Sequence, residues 1–241
     1  MDVAEYQKMY ELEGKYWWWV GRRRILRSIL NKLNLDSAAI LDVGCGTGIN
    51  LNCLRDYGTI TGVDISEYAI DFCKKRGFNN VSQGDAEKLD FEDSTFDLIT
   101  ALDLLEHLDD NKALGEFHRV LKLGGYLVVT VPAFNFLWSQ HDEALHHQRR
   151  YTKDRLRRVL ECQGFAIEKL SYWNTFLFLP IAALRLARKH MKNREIKTDV
   201  EELPDIVNSF LAVILRYESY LLAHINLPFG VSVLCVARAD K

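Results

Sequence analysis

The stretch Ile40-Leu41-Asp42-Val43-Gly44-Cys45-Gly46-Thr47-Gly48-Ile49-Asn50-Leu51 decides the fold of this chain. A short apolar run ends at Val43, three glycines follow on alternate positions, and a helix-like segment comes after them. The pattern predicts a buried parallel strand that turns tightly through Gly44, Gly46 and Gly48. Glycine permits positive φ there and lets a ligand approach with no Cβ in the way. The following segment is expected to be a helix aiming its positive, amide-rich end at whatever lies over the loop. These features describe a nucleotide-type pocket. The spacing is G-x-G-x-G; the dinucleotide fingerprint G-x-G-x-x-G would need its third glycine where Ile49 stands.

Twenty residues past Gly44, the run Thr59-Ile60-Thr61-Gly62-Val63-Asp64-Ile65-Ser66 reads as a second apolar strand ending in an acid. An acid at that point can accept hydrogen bonds from both ribose hydroxyls of an adenosine. The pattern D-V-G-C-G-T-G followed by G-V-D-I-S resembles motif I and the next acidic motif of the class I S-adenosylmethionine (SAM)-dependent methyltransferases. The resemblance implies a doubly wound, Rossmann-like α/β fold with a mostly parallel seven-stranded sheet and a reversed last strand. It also implies SAM as cofactor and S-adenosyl-L-homocysteine as product. Asp42, Gly44, Cys45, Gly46, Gly48, Asp64 and Ile65 are then expected at the cofactor.

Composition narrows the class. A chain of 241 residues, 48% hydrophobic and 27% charged, is long enough for one sizeable α/β domain with an elaboration. A net charge of -2 gives no global drive toward nucleic acid, and no nucleic-acid partner is expected. Cys45, Cys53, Cys73, Cys162 and Cys235 are odd in number and lack C-x-x-C spacing, as reduced thiols in a cytosolic protein would be. The start of the chain is acidic and has no apolar core of a secretion signal. No uninterrupted apolar run reaches the ~18 residues of a spanning helix. The expected location is cytoplasmic, with a peripheral position at a membrane left open.

Downstream, Glu67 to Arg76 reads as a helix ended by Gly77, Asn80 to Gln83 as a third strand, and Gly84-Asp85-Ala86 as the turn after it. Here the resemblance implies that Asp85 receives the adenine amino group and that the adjacent backbone N–H of Ala86 meets a ring nitrogen. Taken alone, an aspartate there is a helix cap or a turn. Phe96 to Leu102 is the fourth strand, and ligands of doubly wound sheets lie beyond the carboxyl ends of strands. Leu102, Asp103 and His107 are therefore expected near the sulfonium. The run F-D-L-I-T-A-L-D-L-L-E-H-L resembles the motif of the ubiquinone and menaquinone biosynthesis methyltransferases and their broad relatives. After an amphipathic helix from Asn111 to Leu121, the run L-K-L-G-G-Y-L-V-V-T-V-P resembles their motif III, with Tyr126 to Pro132 as the fifth strand. The resemblance covers positions 38 to 132.

The flanks are more particular. Tyr16-Trp17-Trp18-Trp19 precedes Gly21-Arg22-Arg23-Arg24, and an amphipathic helix is expected from Arg22 with Ile25, Ile29, Leu30 and Leu33 inward. The tryptophans either pin this helix to the sheet or roof the pocket, with Arg22 or Arg23 near the methionine carboxylate. After the fifth strand, His141, His146, His147, Arg149, Arg150 and Tyr151 crowd one loop. W-S-x-H-D-x-x-x-x-H-x-x-R-R-Y resembles a subgroup of these methyltransferases associated with cell-surface glycan and lipid pathways, an analogy only. His141, Asp142, His146 and His147 are competent metal ligands, but H-x4-H in a loop is weak spacing, and no metal is expected. A hydrogen-bonded lid or acceptor-binding loop is the preferred reading. Base candidates for a hydroxyl acceptor are His107, His141 and Tyr151.

Thr152 is expected to cap a helix from Lys153 to Gln163, followed by a sixth strand from Phe165 to Tyr172 and a final reversed strand from Val231 to Arg238. Between these strands lie an apolar run from Phe176 to Leu184, a basic patch (Arg185, Arg188, Lys189, Lys192, Arg194), an acidic stretch (Asp199, Glu201, Glu202) and a helix from Asp205 to Ile225. That helix is expected to carry Ile206, Phe210, Ile214, Tyr217, Leu221 and Ile225 on one continuous stripe. The connection is read as a helical cover of the acceptor cavity, with membrane docking or a homodimer face as the other uses. The division expected is a helical cap over 1–37, a SAM-binding core over 38–173, the helical insertion over 174–230 and the last strand over 231–241. The whole is read as a methyltransferase acting on a small-molecule, lipid or glycan-type acceptor. Its rivals are an NAD(P)-dependent oxidoreductase on a similar sheet and a non-catalytic SAM-binding or scaffold protein.

Overall fold

A computed structural model describes residues 3–33, 35–189, 200 and 202–240. Helices α1 (Val3–Leu12) and α2 (Trp17–Leu30) precede strand β1 (Ala38–Val43). After the glycine loop come α3 (Leu51–Leu54), β2 (Gly58–Asp64), α4 (Glu67–Lys75), β3 (Val81–Gln83) and β4 (Phe96–Leu102). A 3-10 turn (Leu105–His107) leads into α5 (Asp110–Val120) and β5 (Leu121–Pro132). A second such turn (Asn135–Leu137), α6 (Gln140–Ala144), α7 (Lys153–Cys162) and β6 (Phe165–Trp173) follow. Then α8 (Phe178–Lys189) and α9 (Asp205–His224) separate β6 from β7 (Ser232–Ala239).

The strands form one seven-stranded sheet in the order β3-β2-β1-β4-β5-β7-β6. The first five are parallel to their neighbours, and β7 runs antiparallel between β5 and β6. The expected α/β fold with its reversed last strand is therefore the fold observed. Central strands read as unbroken apolar runs because both faces are covered. Leu41 and Val43 of β1 face a core built with Phe117 of α5 and Leu156 and Leu160 of α7. Ile40 faces the other core, with Ile25 and Ile29 of α2 and Leu215 and Leu222 of α9. Chain order reverses between β1 and β4, where the connections leaving the two strands part to opposite faces of the sheet and open a crevice.

Two expectations about helices are corrected. The segment after the glycine loop is helical for only four residues and begins at Leu51, so a long helix dipole does not serve the loop. The larger correction concerns α9. Leu215, Glu218, Ser219 and Leu222 are its buried residues, while Ile206, Phe210 and Tyr217 are 86%, 64% and 69% exposed. The anticipated stripe faces outward over most of its length. Glu218 sets the rotation of the helix. Its carboxylate accepts the backbone N–H groups of Asn174, Thr175 (2.8 Å) and Phe176 (3.2 Å) at the end of β6. A buried carboxylate needs such donors, and they outweigh burial of one more apolar residue. The helix is also long and apolar enough to cross a membrane, with a mean hydropathy of 1.3, because its polar residues interrupt the apolar run without lowering the average much. Of the basic patch, Lys192 and Arg194 lie outside the described residues, as do Asp199 and Glu201 of the acidic stretch.

Helices α2 and α9 approach closely at Gly21. A Cβ built there would lie 2.2 Å from Leu215 Cδ1 and 2.8 Å from Leu215 Cβ. Gly21→Val should therefore destabilise the fold by about 1–3 kcal/mol in chemical denaturation, the usual cost of overpacking. Adding Leu215→Ala should recover part of that loss, giving a non-additive double-mutant cycle. Additive costs would show that the two helices do not meet through this pair.

Candidate active site

The glycine loop is fastened to the strand beside it. Both Gly44 N–H and Cys45 N–H donate to the Val63 carbonyl (2.8 and 3.0 Å), and Gly46 N–H donates to Asp64 Oδ2 (2.9 Å). Ser66 N–H donates to Asp64 Oδ1 (3.0 Å), so each oxygen of this buried carboxylate holds one backbone donor. Burial nonetheless raises the Asp64 carboxyl above its usual range, against those hydrogen bonds. Gly46 has φ +55, and a Cβ on it would project to 3.0 Å from Met9 Cε, into the space between the loop and α1. A bare backbone there leaves room for a flat or ribose-like ligand.

The roof comes from the amino-terminal helices. Glu13, 2% exposed, accepts from Thr47 Oγ1 of the loop and from Arg76 at the end of α4 (2.7 Å), and Arg76 Nε donates to the Thr47 carbonyl (2.8 Å). These bonds tie α1 to the glycine loop, and Tyr6 Oη donates to Asp64 Oδ1 (3.4 Å) from above. The tryptophans pack against the sheet and also line the pocket: Trp18 lies 5.6 Å from Trp173, with the Arg22 guanidinium 4.8 Å over its ring. Arg22 Nη1 reaches Asp103 Oδ2 at 2.6 Å, whereas Arg23 turns away to the Glu13 and Gly14 carbonyls. Asp103, at φ +57, takes the left-handed conformation that lets the chain leave β4 toward this arginine.

Under that roof lies one cavity of about 820 Å³. Gly44, Cys45, Gly46, Asp64, Ile65, Asp85, Ala86, Leu102, Asp103, His107 and His141 all line it, residues drawn from five separate stretches of the sequence. Asp85 is exposed, and its Oδ1 accepts Glu87 N–H (2.8 Å), so it closes its own turn while facing the cavity. Three candidates stand elsewhere. Asp42 is 1% exposed beneath the loop, bonded to Thr100 Oγ1 at 2.6 Å, and Gly48 backs onto Cys73. Tyr151 is fully buried, donates to Asp110 Oδ2 (3.1 Å), and has its phenol pushed up well above its usual pKa by burial. A phenol so placed cannot reach an acceptor or take its proton, so Tyr151 is a structural residue and is withdrawn as a base.

The histidine-rich loop is organised by an ion pair. Asp142 accepts Arg150 Nε (2.8 Å) and Nη2 (2.9 Å), Ser139 N–H (2.8 Å) and His147 Nδ1 (2.8 Å). These donors hold its carboxyl well below the usual range although burial opposes them. His147 is thereby oriented with Nε2 toward Glu106 Oε1, 3.9 Å away, and its ring meets that of His107 edge-on at 4.7 Å. Burial, with His147 alongside, lowers the His107 pKa to about 3 and keeps the ring neutral. His141 lies on the cavity wall, its ring 6.1 Å from that of His147.

Sequence reasoning missed Tyr6 and Met9 of α1, a helix with no strong apolar periodicity, Glu13 just after it, and Glu106, hidden within a motif read for its neighbours. Ile181, Leu184, Leu203 and Leu211 of the α8–α9 region also line the cavity.

Residues 41–129 match the model of a methyltransferase domain. An uncharacterised protein of Methanocaldococcus jannaschii is 34% identical over 144 residues, 58% of this chain and 59% of that protein. The ubiquinone biosynthesis O-methyltransferase of Coxiella burnetii is 31% identical over 151 residues, 56% of this chain and 64% of the relative. The chain thus spans about 60% of the length of the curated relatives it matches. Among solved structures, an S-adenosylmethionine-dependent methyltransferase from Mesorhizobium loti shares the fold (TM-score 0.57, 18% identity, 88% of this chain and 95% of that one). So does the [4+2]-cyclase SpnF (TM-score 0.58, 24% identity, 91% of this chain and 80% of that one).

Asp42 supplies a test of the ground beneath the loop. Burial pushes its carboxyl up to about 7, against the Thr100 hydrogen bond that lowers it, while the unfolded chain titrates near 3.8. The folded state therefore binds the extra proton between those values, and this group's contribution to stability falls as pH rises from about 4 to about 7. Relative to wild type, Asp42→Asn should gain stability steadily across that window, by up to about 4 kcal/mol, and change little outside it. Parallel stability curves for the two proteins would refute the buried, proton-binding placement.

Proposed function

We propose that the chain is a class I SAM-dependent methyltransferase and that it transfers the SAM methyl group to a small-molecule, lipid or glycan-type acceptor with a largely apolar body. The observation carrying this reading is the mixed lining of the cavity. The glycine loop and the Asp64 carboxylate line it together with the apolar side chains of Trp18, Ile181, Leu184, Leu203 and Leu211. SAM supplies a methyl group already activated on a sulfonium, so the protein's task is mostly alignment and exclusion of water. In this reading Asp64 takes the ribose hydroxyls, displacing the long contact from Tyr6, and Gly46 keeps the loop open to the adenosine. Asp85 and the Ala86 N–H would serve the adenine. Arg22, fixed by Asp103, would take the methionine carboxylate, a fit that a planar guanidinium favours. His141 on the wall is the candidate to accept a proton from an acceptor hydroxyl, and the O-methylation named for the Coxiella relative supports an acceptor of that kind.

The [4+2]-cyclase on this fold shows why methyl transfer must be read directly. Incubation of the chain with isotopically labelled SAM and a cell extract should put the label into an extractable, apolar product seen by mass spectrometry. Asp64→Ala should weaken SAM binding by about 2–4 kcal/mol in calorimetry, because charge-assisted bonds are lost. Undiminished binding in the folded variant, or label that never leaves SAM, would overturn the reading.

A second reading concerns where the chain works. The outward Ile206, Phe210 and Tyr217 of α9 favour contact of the 174–230 insertion with a membrane surface. The protein should float with phospholipid vesicles, and Phe210→Ser should abolish flotation without loss of SAM binding. A wild type that stays with the soluble fraction as a dimer would assign the face to a second copy instead.

A further inference from the structure

The cavity holds a carboxylate that nothing in its surroundings explains. Glu106 is fully buried within the 3-10 turn after β4, and neither of its carboxylate oxygens has a hydrogen-bond partner on another described residue. A buried carboxylate without donors is among the costliest groups a fold can contain, and native structures give such groups a partner. Two imidazoles stand beside it. One ligand atom from each of Glu106, His107 and His147 can be chosen so that all three lie within 4.8 Å of one another.

The tautomer of His147 sharpens the point. Asp142 is already committed to the Arg150 guanidinium through both oxygens, so it meets His147 Nδ1 as an acceptor. Nδ1 must then carry the hydrogen, and Nε2 presents a lone pair to Glu106 Oε1, 3.9 Å away. A cation bonded to both atoms would fit that gap and satisfy the nitrogen lone pair and the carboxylate together. A histidine whose far nitrogen donates to a carboxylate is also how metal-binding imidazoles are usually oriented.

We propose that Glu106, His107 and His147 form a site for a divalent first-row transition cation such as Zn(II), Mn(II) or Co(II), opening onto the same cavity as the glycine loop. Two imidazole nitrogens and one carboxylate oxygen suit such an ion better than Mg(II) or Ca(II), which prefer oxygen throughout. Three protein ligands leave coordination positions for water or an oxygen-bearing ligand from the cavity. The ligand set differs from the loop residues that the sequence offered. Asp142 is spent on orienting His147, His146 is exposed, and Glu106 and His107 come from the turn after β4. This site stands apart from the methyl-transfer reading, since cation binding needs neither SAM nor an acceptor.

The test uses the full chain stripped with a chelator and dialysed. Calorimetric titration with Zn(II) and Mn(II), and absorbance titration with Co(II), should each show one equivalent bound, with the cobalt spectrum reporting nitrogen ligation. The cation should raise the thermal midpoint in proportion to its affinity. Glu106→Gln keeps the size of the side chain and removes its charge, and it should weaken the cation by about 100-fold or more, beyond the 10–100-fold typical of outer contacts. If that variant does not fold, His147→Gln replaces it with the same expectation. His224→Ala, on the far end of α9, should bind the cation as wild type does. Absence of binding tighter than millimolar in the wild type, or wild-type affinity in folded Glu106→Gln, would overturn the proposal. An unchanged cation affinity together with failed SAM binding would leave the site intact and sink only the methyl-transfer reading.

Discussion

The fastening of the glycine loop to the end of β2 is the constraint from which the rest follows. Two N–H groups share the Val63 carbonyl and a third reaches the Asp64 carboxylate, so the loop and the acid cannot move independently. Such a turn would leave its amides unsatisfied in a buried position unless the neighbouring strand supplied acceptors. The parallel register that sets Val43 beside Val63 brings those acceptors within reach. Because the connections leaving β1 and β4 part to opposite faces at the same level, the fastened loop becomes one wall of a crevice, and Leu102 and Asp103 line it beside the loop.

Buried acids distribute the work around that crevice according to the donors each one meets. Asp142, with a bidentate arginine, a backbone amide and an imidazole, stays ionised and fixes the loop that follows β5. Glu218, with three backbone donors, locks α9 to the end of β6. Glu13 fastens α1 over the loop through Thr47 and Arg76. Asp42 has a single hydroxyl and its carboxyl is pushed up to about 7, and burial also raises Glu106, which meets no donor from another described residue, well above the usual carboxylate range. The same residue type therefore serves as clamp, proton-binding support and cation ligand, and the count of nearby donors separates these roles. Tyr151 follows the same logic, since its hydroxyl is consumed by Asp110 and cannot serve chemistry.

The helical insertion shows how one set of apolar residues can have two uses. Helix α9 is apolar around most of its circumference, so periodicity alone cannot say which side faces the core. Inward, Leu215 meets α2 at Gly21, Leu222 joins the core, and Leu211 reaches the cavity wall. Outward, the residues that look most like a core stripe face solvent, where a large apolar face marks a surface for contact. The insertion thus closes the cavity with one face and offers the other to its surroundings.

By itself the sequence determined the sheet, because central strands buried on both faces read as unbroken apolar runs and glycines mark where the first one ends. It also determined the glycine loop, Asp64 and the Leu102–Asp103 part of the lining, since each sits at a strand's carboxyl end at a fixed distance along the chain. Only the tertiary structure decided what depends on contacts between distant stretches. Tyr6 reaches Asp64 across 58 residues, and α1 has no periodicity that announces a lid. Arg22 rather than Arg23 faces the pocket because Asp103 fixes one and the Glu13 carbonyl the other. Asp42 falls beneath the loop because Thr100 holds it from the neighbouring strand. The rotation of α9 hangs on Glu218 finding three donors at the end of β6. Spacing along a chain fixes which residues share a strand or a turn, whereas partners across the fold decide which polar groups are satisfied, and at this site that satisfaction assigns the roles.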